Sequence, residues 1–340
     1  MTEDKRRRMY GTGTKKMLNM LILEILRDYT DEDHSLMQKE IVEKLREVYG
    51  MECDRRSVQH NIQSLTEMGY EIATDGGYRL LDRTFDTAEL RMLIDSVLFS
   101  KSLTEKQAKD LVGKLRSMGN QYFSAGVENI TNLPDFSRGD NPQLLYVLDT
   151  VNRAISDHRK IEFFYNVYGT DLKLHHKREE KYRVNPYRII ANNGRYYLIG
   201  NYDKYDDISH YRIDRMTEVT ELPEQGKPVD SLPGYEHGID LPKHMAEHIY
   251  MFSGKSVTVT MLADEHLLGE LVDWFGKEFH ILGTEADGRI SVRVRCNEQA
   301  MFYWALQYGL YAEIQKPESL RRQIADAVSA MNEKYREKKE

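Results

Sequence analysis

Cysteine is nearly missing from this chain of 340 residues: Cys53 and Cys296 stand far apart. That excludes a disulfide framework and a cysteine-built metal centre, and it fits a reducing, cytoplasmic setting. No apolar run approaches the roughly 20 residues a membrane helix needs, so no segment is expected to span a bilayer. Lys5, Arg6, Arg7 and Arg8 are followed by the small, polar stretch Gly11 to Lys16 rather than an apolar core. The tetrad therefore reads as a flexible arm or a nucleic-acid contact, not as a secretion signal. Positive charge is in deficit as well, with 48 Lys and Arg against 55 Asp and Glu and a net charge of −7, which argues against indiscriminate coating of nucleic acid but not against a local basic face. Catalytic signatures are lacking too. There is no G-x-S-x-G elbow, no histidine visibly paired with a nucleophile, and Gly11-Thr12-Gly13-Thr14-Lys15-Lys16 has neither the Gly-Lys-Ser/Thr ending nor the preceding strand of a phosphate loop. The expectation is a protein that is not an enzyme and carries no resident cofactor or metal.

What is there points to several domains, because one core rarely serves more than about 200 residues. Leu18, Leu21, Ile22, Ile25, Leu26 and Tyr29 fall at helical spacing and predict a helix from Thr14 to about Tyr29. Ser35 with Gln38 suggests a capping box for a second helix lined by Met37, Ile41, Leu45 and Val48 and stopped at Gly50. Asp54 is placed to cap a third, with core residues Val58, Ile62 and Leu65 and a stop at Gly69. Two short strands around the Thr74-Asp75-Gly76-Gly77 turn then predict a hairpin. Three helices and a hairpin in this order spell a winged helix-turn-helix. At 100° per residue the third helix turns Arg56, His60 and Gln63 outward, with Ser57 and Gln59 beside them and Arg55 at the N-terminus. Arginine and glutamine there suit base edges, and the helix N-terminus suits phosphate. Tyr78 and Arg79 of the hairpin complete the expected DNA face.

Thr87 to Ser100 and Glu105 to Met118 read as connecting helices, and a breaker-rich loop from Asn132 to Pro142 precedes another helix with Leu144, Leu148, Val151 and Ile155. Short β-branched and aromatic runs follow: 161–165, 182–190, 195–200 and 210–215. Tight turns between them mean a small barrel or curled sheet. Within these runs Pro186-Tyr187, then Tyr196-Tyr197-Leu198-Ile199, then His210-Tyr211-Arg212-Ile213-Asp214-Arg215-Met216 resemble the ordered signature of bacterial WYL-domain transcription regulators, with Tyr196 where that family has its tryptophan. The resemblance implies an SH3- or Sm-like barrel that binds a nucleotide or single-stranded nucleic acid, between a winged helix and a ferredoxin-like extension.

The residues point to the same patch independently. Asp171 to Arg195 is a basic island in an acidic chain, with Lys173, Lys177, Arg178, Lys181, Arg183, Arg188 and Arg195 against Asp171, Glu179 and Glu180. His210 and Arg212, two apart on a strand, project from one face while Tyr211 and Ile213 project from the other. With Tyr187, Arg188, Arg195, Tyr197 and Arg215 they combine guanidinium forks and aromatic rings, which suit phosphate and base. The plainer reading is that the tyrosines fill the barrel, Arg215 pairs with Asp214 or a neighbouring acid and His210 is solvated.

Pro223, Gly226, Pro228, Pro233, Gly234 and Gly238 mark a linker. Beyond it the order strand, helix, strand, strand, helix, strand is that of a ferredoxin-like unit, closed by a helix after Pro317 and suited to dimerisation. His244-Met245-Ala246-Glu247-His248 matches the zinc-peptidase pattern H-x-x-E-H, but it follows Pro242 in the linker without an obvious third ligand and reads as a solvated helix.

The expected architecture is thus α+β and multidomain: a winged helix-turn-helix at 1–84, a helical connector at 85–158, an SH3/Sm-like β-barrel at 159–222, a linker at 223–253 and a ferredoxin-like unit at 254–340. The expected function is a homodimeric regulator of a double-stranded DNA operator, controlled by a nucleotide or single-stranded nucleic-acid effector. An RNA-binding or RNA-processing factor that uses the barrel as its main site is the alternative, and a zinc hydrolase using His244, Glu247 and His248 a remote one.

Overall fold

Leucine and isoleucine at helical spacing make α1 (Leu18–Tyr29), which buries Leu18, Leu21, Ile22, Leu23, Ile25 and Leu26. It opens the first of two compact units, 1–142 and 143–340, in a computed structural model that describes residues 15–123 and 141–336. The basic tetrad Lys5 to Arg8 and most of the breaker-rich loop lie outside the described residues.

Helix α2 (Gln38–Tyr49) starts later than Ser35 suggested. Met37 is its N-cap and its amide donates to Glu40 Oε2 at 2.7 Å, while Ser35 Oγ donates instead to the Gly76 carbonyl at 2.7 Å. Met37 is consequently exposed and not a core residue. Gly50 ends the helix in the left-handed region, φ 67°, where a residue without Cβ is least strained. Helix α3 (Arg55–Glu67) is capped as expected: Asp54 Oδ1 accepts the Ser57 amide at 2.7 Å. Its buried stripe, Val58, Ile62 and Leu65, joins α1, α2 and Leu80 in one core.

Strands β1 (Ile72–Ala73) and β2 (Arg79–Leu80) pair antiparallel, Ile72 opposite Leu80. The turn needs glycine at 77: φ is +123°, and a Cβ there would lie 2.7 Å from Ser35 Oγ. Gly77→Ala is expected to cost about 1–3 kcal/mol through strain at that backbone angle, read as a lower urea midpoint, and an unchanged midpoint would show that the turn relaxes freely.

Helices α4 (Thr87–Phe99) and α5 (Glu105–Arg116) carry reciprocal caps, Asp86 with Glu89 and Thr104 with Gln107, and share a small core of Leu90, Ile94 and Phe123. They are tied to the end of α1. The Thr30 carbonyl, one of the acceptors a helix end leaves open, receives both the Arg83 guanidinium and Asn120 Nδ2, the latter at 2.9 Å.

In the second unit α6 (Leu144–Ser156) buries Leu144, Val147, Thr150, Val151 and Ala154 and packs on the sheet, so it travels with the strands and not with α4 and α5. The sheet comprises β3 (Arg159–Tyr168), β4 (Leu174–His176), β5 (Tyr182–Asn192), β6 (Arg195–Tyr202), β7 (Ile208–Arg212) and β8 (Met216–Gln225) in the order β4-β3-β5-β6-β7, with β8 on β3. One long strand, β3, is flanked by β5 and β8 over its first part and by β4 from Asn166 to Tyr168, and the sheet curls around Ile161, Phe163, Val184, Leu198, Ile213 and Met216. Strand β7 stops at Arg212. Residues Ile213–Arg215, expected to continue it, form a 3₁₀ turn that buries Ile213 and Asp214 as the chain swings into β8.

The segment after β8 is less free than its prolines and glycines suggested. Leu232 is buried and, with Val229, Tyr235, Ile239 and Leu241, covers Ile199 and Ile208 of the sheet. Its short helix α7 (Leu241–Glu247) is capped by Asp240. Turn-forming residues shape this segment while apolar ones between them bind it down.

The remaining elements are β9 (Ser256–Ala263), α8 (Leu268–Phe275), β10 (Phe279–Thr284), β11 (Ile290–Asn297), α9 (Glu298–Gln307), β12 (Ala312–Lys316) and α10 (Glu318–Tyr335). The strands form an antiparallel sheet in the order β10-β11-β9-β12. Trp304 and Phe275, fully buried, anchor its core.

Candidate functional site

Because Val58, Ile62 and Leu65 hold α3 against its core, the opposite flank is presented outward: Arg55, Arg56, Gln59, His60 and Gln63 are exposed, and Ser57 is half-buried. From Arg55 to Gln63 that helix holds no carboxylate. Gln63 Nε2 donates to Glu67 Oε1 at 3.1 Å, a surface contact that a base edge could replace. In the hairpin, Arg79 pairs with Asp75 at 3.2 Å and the Tyr78 hydroxyl accepts from Gln38 Nε2 at 3.0 Å, so both are held beside α2 and the turn. All of these lie in the first unit.

The second unit gathers part of the expected anion patch around a residue the sequence reading had treated only as a neighbour of Arg215. Asp214, 4% exposed, accepts from Arg212 Nε at 3.1 Å and Nη2 at 2.7 Å, and from Arg195 Nη1 at 2.9 Å. A carboxylate so placed holds two guanidinium planes in fixed orientation. Tyr197 stands opposite Arg212 in the β6–β7 register. Arg215 follows in the chain, its Nε buried with no hydrogen-bond partner among the described residues and its guanidinium 5.9 Å from the Tyr168 ring centre. Tyr165, half-buried on β3, accepts the Arg212 amide on its hydroxyl at 3.3 Å.

The electrostatics follow from burial. Arg195 is pulled below its usual value by desolvation and then by the charge of Arg212, whereas for Arg212 the hydrogen bonds and charge of Asp214 outweigh desolvation and push it up. Burial raises Tyr197, against the pull of Arg212 and Arg195, so it stays a neutral phenol. Three arginines against one carboxylate leave the cluster cationic. A phosphate or carboxylate would relieve that excess and accept the remaining N–H donors.

Other members of the expected patch lie elsewhere. Arg188 pairs in register with Ile199, and Ile199 with His210, one row along the sheet from Tyr197 and Arg212. That neighbouring row is where the segment after β8 lies down. His210 does not join the arginines and is not solvated: its Nε2 is 2.8 Å from Nε2 of His244. Tyr187 donates to the Lys227 carbonyl at 2.9 Å, and with Arg188, His158, Arg159 and Lys227 it lines a separate cleft of about 790 Å³. Strand alternation was read correctly, but the cover that divides the face comes from residues some 30 positions downstream. Asp214 was legible in principle, since an Arg-x-Asp step at a strand end can fold the carboxylate back onto the guanidinium.

The WYL-domain sequence model matches residues 146–221, spanning α6 and all of the curled sheet except the end of β8. The chain carries a WYL domain. A WCX-domain model matches residues 255–331, from β9 into α10. The Asp214 cluster lies inside the WYL domain, whose match begins within α6. Nothing among curated proteins matches the chain. Solved structures similar to it include the proteasome accessory factor PafBC of Arthrobacter aurescens, 14% identical with a TM-score of 0.28 over 95% of this chain and 49% of that one. This chain thus spans about half the length of PafBC. Another is a CRISPR Cas-related protein, 13% identical with a TM-score of 0.37 over 98% of this chain and 91% of that one. Likeness at that level transfers no function. No described helix is long and apolar enough to cross a membrane.

Proposed function

We propose that this WYL-domain protein is a transcription regulator that reads duplex DNA with α3 and the β1–β2 hairpin, and that an anionic effector, a nucleotide or single-stranded nucleic acid, is received by Arg195, Arg212, Arg215 and Tyr197. On this reading residues 1–84 are a winged helix-turn-helix, 159–222 an SH3/Sm-like barrel and 254–340 a ferredoxin-like unit that joins two copies. A dimer would set two α3 helices on half-sites about one helical turn of DNA apart, or a multiple of it. The observation that carries the proposal is the exposed, carboxylate-free flank from Arg55 to Gln63 on a capped helix, in a chain that also carries a WYL domain. An effector that favours the DNA-competent arrangement raises affinity and one that favours the other lowers it.

The test is a titration of the full chain against duplex DNA from upstream of its own coding sequence, with and without nucleotides or short single strands. Arg56→Ala and Gln63→Ala, made separately, are each expected to weaken duplex binding by about 1–3 kcal/mol, the worth of one bidentate base contact. Unchanged duplex binding in both variants, with the fold intact, would overturn the DNA assignment and leave the barrel as the main nucleic-acid site, as in an RNA-binding factor.

A further inference from the structure

Three histidines from separate parts of the second unit converge where nothing in the regulatory reading needs them. His210 comes from β7, His244 from within α7 and His248 from just after it. One ligand-type nitrogen from each lies within 4.8 Å of the other two. His244 and His248 are each 5% exposed, and their rings stack with centres 4.2 Å apart, while His210 sits 5.0 and 4.8 Å from them. Three imidazoles so close are an unusual way to fill a core, since leucine or phenylalanine would do so without polar atoms to satisfy.

We propose that His210, His244 and His248 form a binding site for one divalent transition-metal ion of the zinc class, which fastens the segment after β8 onto the WYL sheet. The second shell is already in place for one ligand. His248 Nδ1 is 2.9 Å from the His244 carbonyl and donates to it, which leaves the Nε2 lone pair as the ligand. His210 Nε2 and His244 Nε2 are 2.8 Å apart. Zinc–nitrogen bonds of about 2.0–2.1 Å in a tetrahedron would set ligating nitrogens about 3.3 Å apart, so a small opening of this pair admits the ion. The buried His210 ring also has a backbone contact with Phe252, and its Nδ1 makes no hydrogen bond of full geometry among the described residues. Neutral imidazole is the form that binds metal and favours the zinc and copper end of the series over magnesium or calcium.

The charged neighbours define the role. Glu247 is bound by Arg295, Nε to Oε1 at 3.1 Å, and the two act on His248 in opposite senses. The glutamate is thereby engaged and not poised as a general base. With His244 and His248 closed to solvent, the site is structural rather than hydrolytic. Its ligands span β7 and the segment from α7, so the bound ion adds a tie between two stretches already joined by apolar contacts and by the His210 amide, which donates to Ser253 Oγ at 3.0 Å.

The experiment uses the untagged full chain, stripped with chelator and titrated with Co²⁺, whose tetrahedral ligand-field bands report coordination. One equivalent per chain is expected to bind and to be displaced by Zn²⁺. His244→Ala and His248→Gln should each lower affinity by on the order of 100-fold, as loss of one of three protein ligands demands. The exposed-histidine control His175→Ala should bind like the parent. Zn²⁺ should also raise the melting temperature of the parent but not of either variant. Absence of a Co²⁺ spectrum in the parent chain overturns the proposal without any variant. So does parent-like binding in either histidine variant, or a loss in the His175→Ala control equal to theirs.

Discussion

Asp214→Ala is expected to lower the stability of the second unit by about 3–5 kcal/mol, the range for breaking one side of a buried ion pair. The carboxylate is 4% exposed and takes three hydrogen bonds from two guanidiniums whose side chains are themselves only 17% and 20% exposed. Without it, two cations face each other in a partly desolvated pocket with Arg215 nearby. Their residual exposure lets water screen part of the repulsion and favours the lower end of that range. Arg212→Ala is the complementary change. It leaves Asp214 neutralised by Arg195, so stability should shift far less, yet it removes the charge and the N–H donors that Arg212 does not spend on Asp214 and should weaken the response to an anionic effector. Urea unfolding followed by far-ultraviolet circular dichroism separates the two. Equal midpoints for Asp214→Ala and the parent would show that the carboxylate is not what holds the arginines.

Trp304→Ala should be comparably damaging, about 3–5 kcal/mol for removing a large aromatic from a closed core. Trp304 is fully buried against Phe275, ring centres 5.4 Å apart and edge-on, and beside Tyr308 at 4.9 Å. One feature moderates either change at this position. Trp304 Nε1 is buried with no hydrogen-bond partner among the described residues, and such a donor costs about 1–3 kcal/mol. Trp304→Phe and Trp304→Ala both remove that donor, but phenylalanine leaves the smaller cavity, so its loss should be clearly smaller than that of Trp304→Ala. Thermal and urea melts of the two variants check this, and equal losses would mean that the size of the cavity does not set the cost.

Residues that act through their own helix or strand were legible before any coordinates. Asp54 caps α3, Val58, Ile62 and Leu65 face inward, and the 100° step placed Arg55, Arg56, Gln59, His60 and Gln63 on the exposed side. The ordered blocks Pro186-Tyr187, Tyr196 to Ile199 and His210 to Met216 marked the WYL domain that the match over 146–221 supports. Ser35 misled because a serine three residues before a glutamine has the spacing of a capping box, while Glu40 reaching the Met37 amide fits the helix start better. The segment from Pro223 to Met251 misled because composition reports how a chain bends and not what it lies against.

The sequence by itself determined the local periodicities: which face of each helix is apolar, where turns fall and which strand residues share a side. Those depend on 3.6- and 2-residue repeats that any stretch carries within itself. The tertiary structure alone decided how one strand face is shared out. Tyr197 and Arg212 remain beside Asp214, Arg188 opens to a separate cleft, and His210 meets His244 and His248. That division follows from a covering segment about 20 to 40 residues further along the chain, held largely by apolar burial that has no direction of its own and so leaves no mark on the strand it covers.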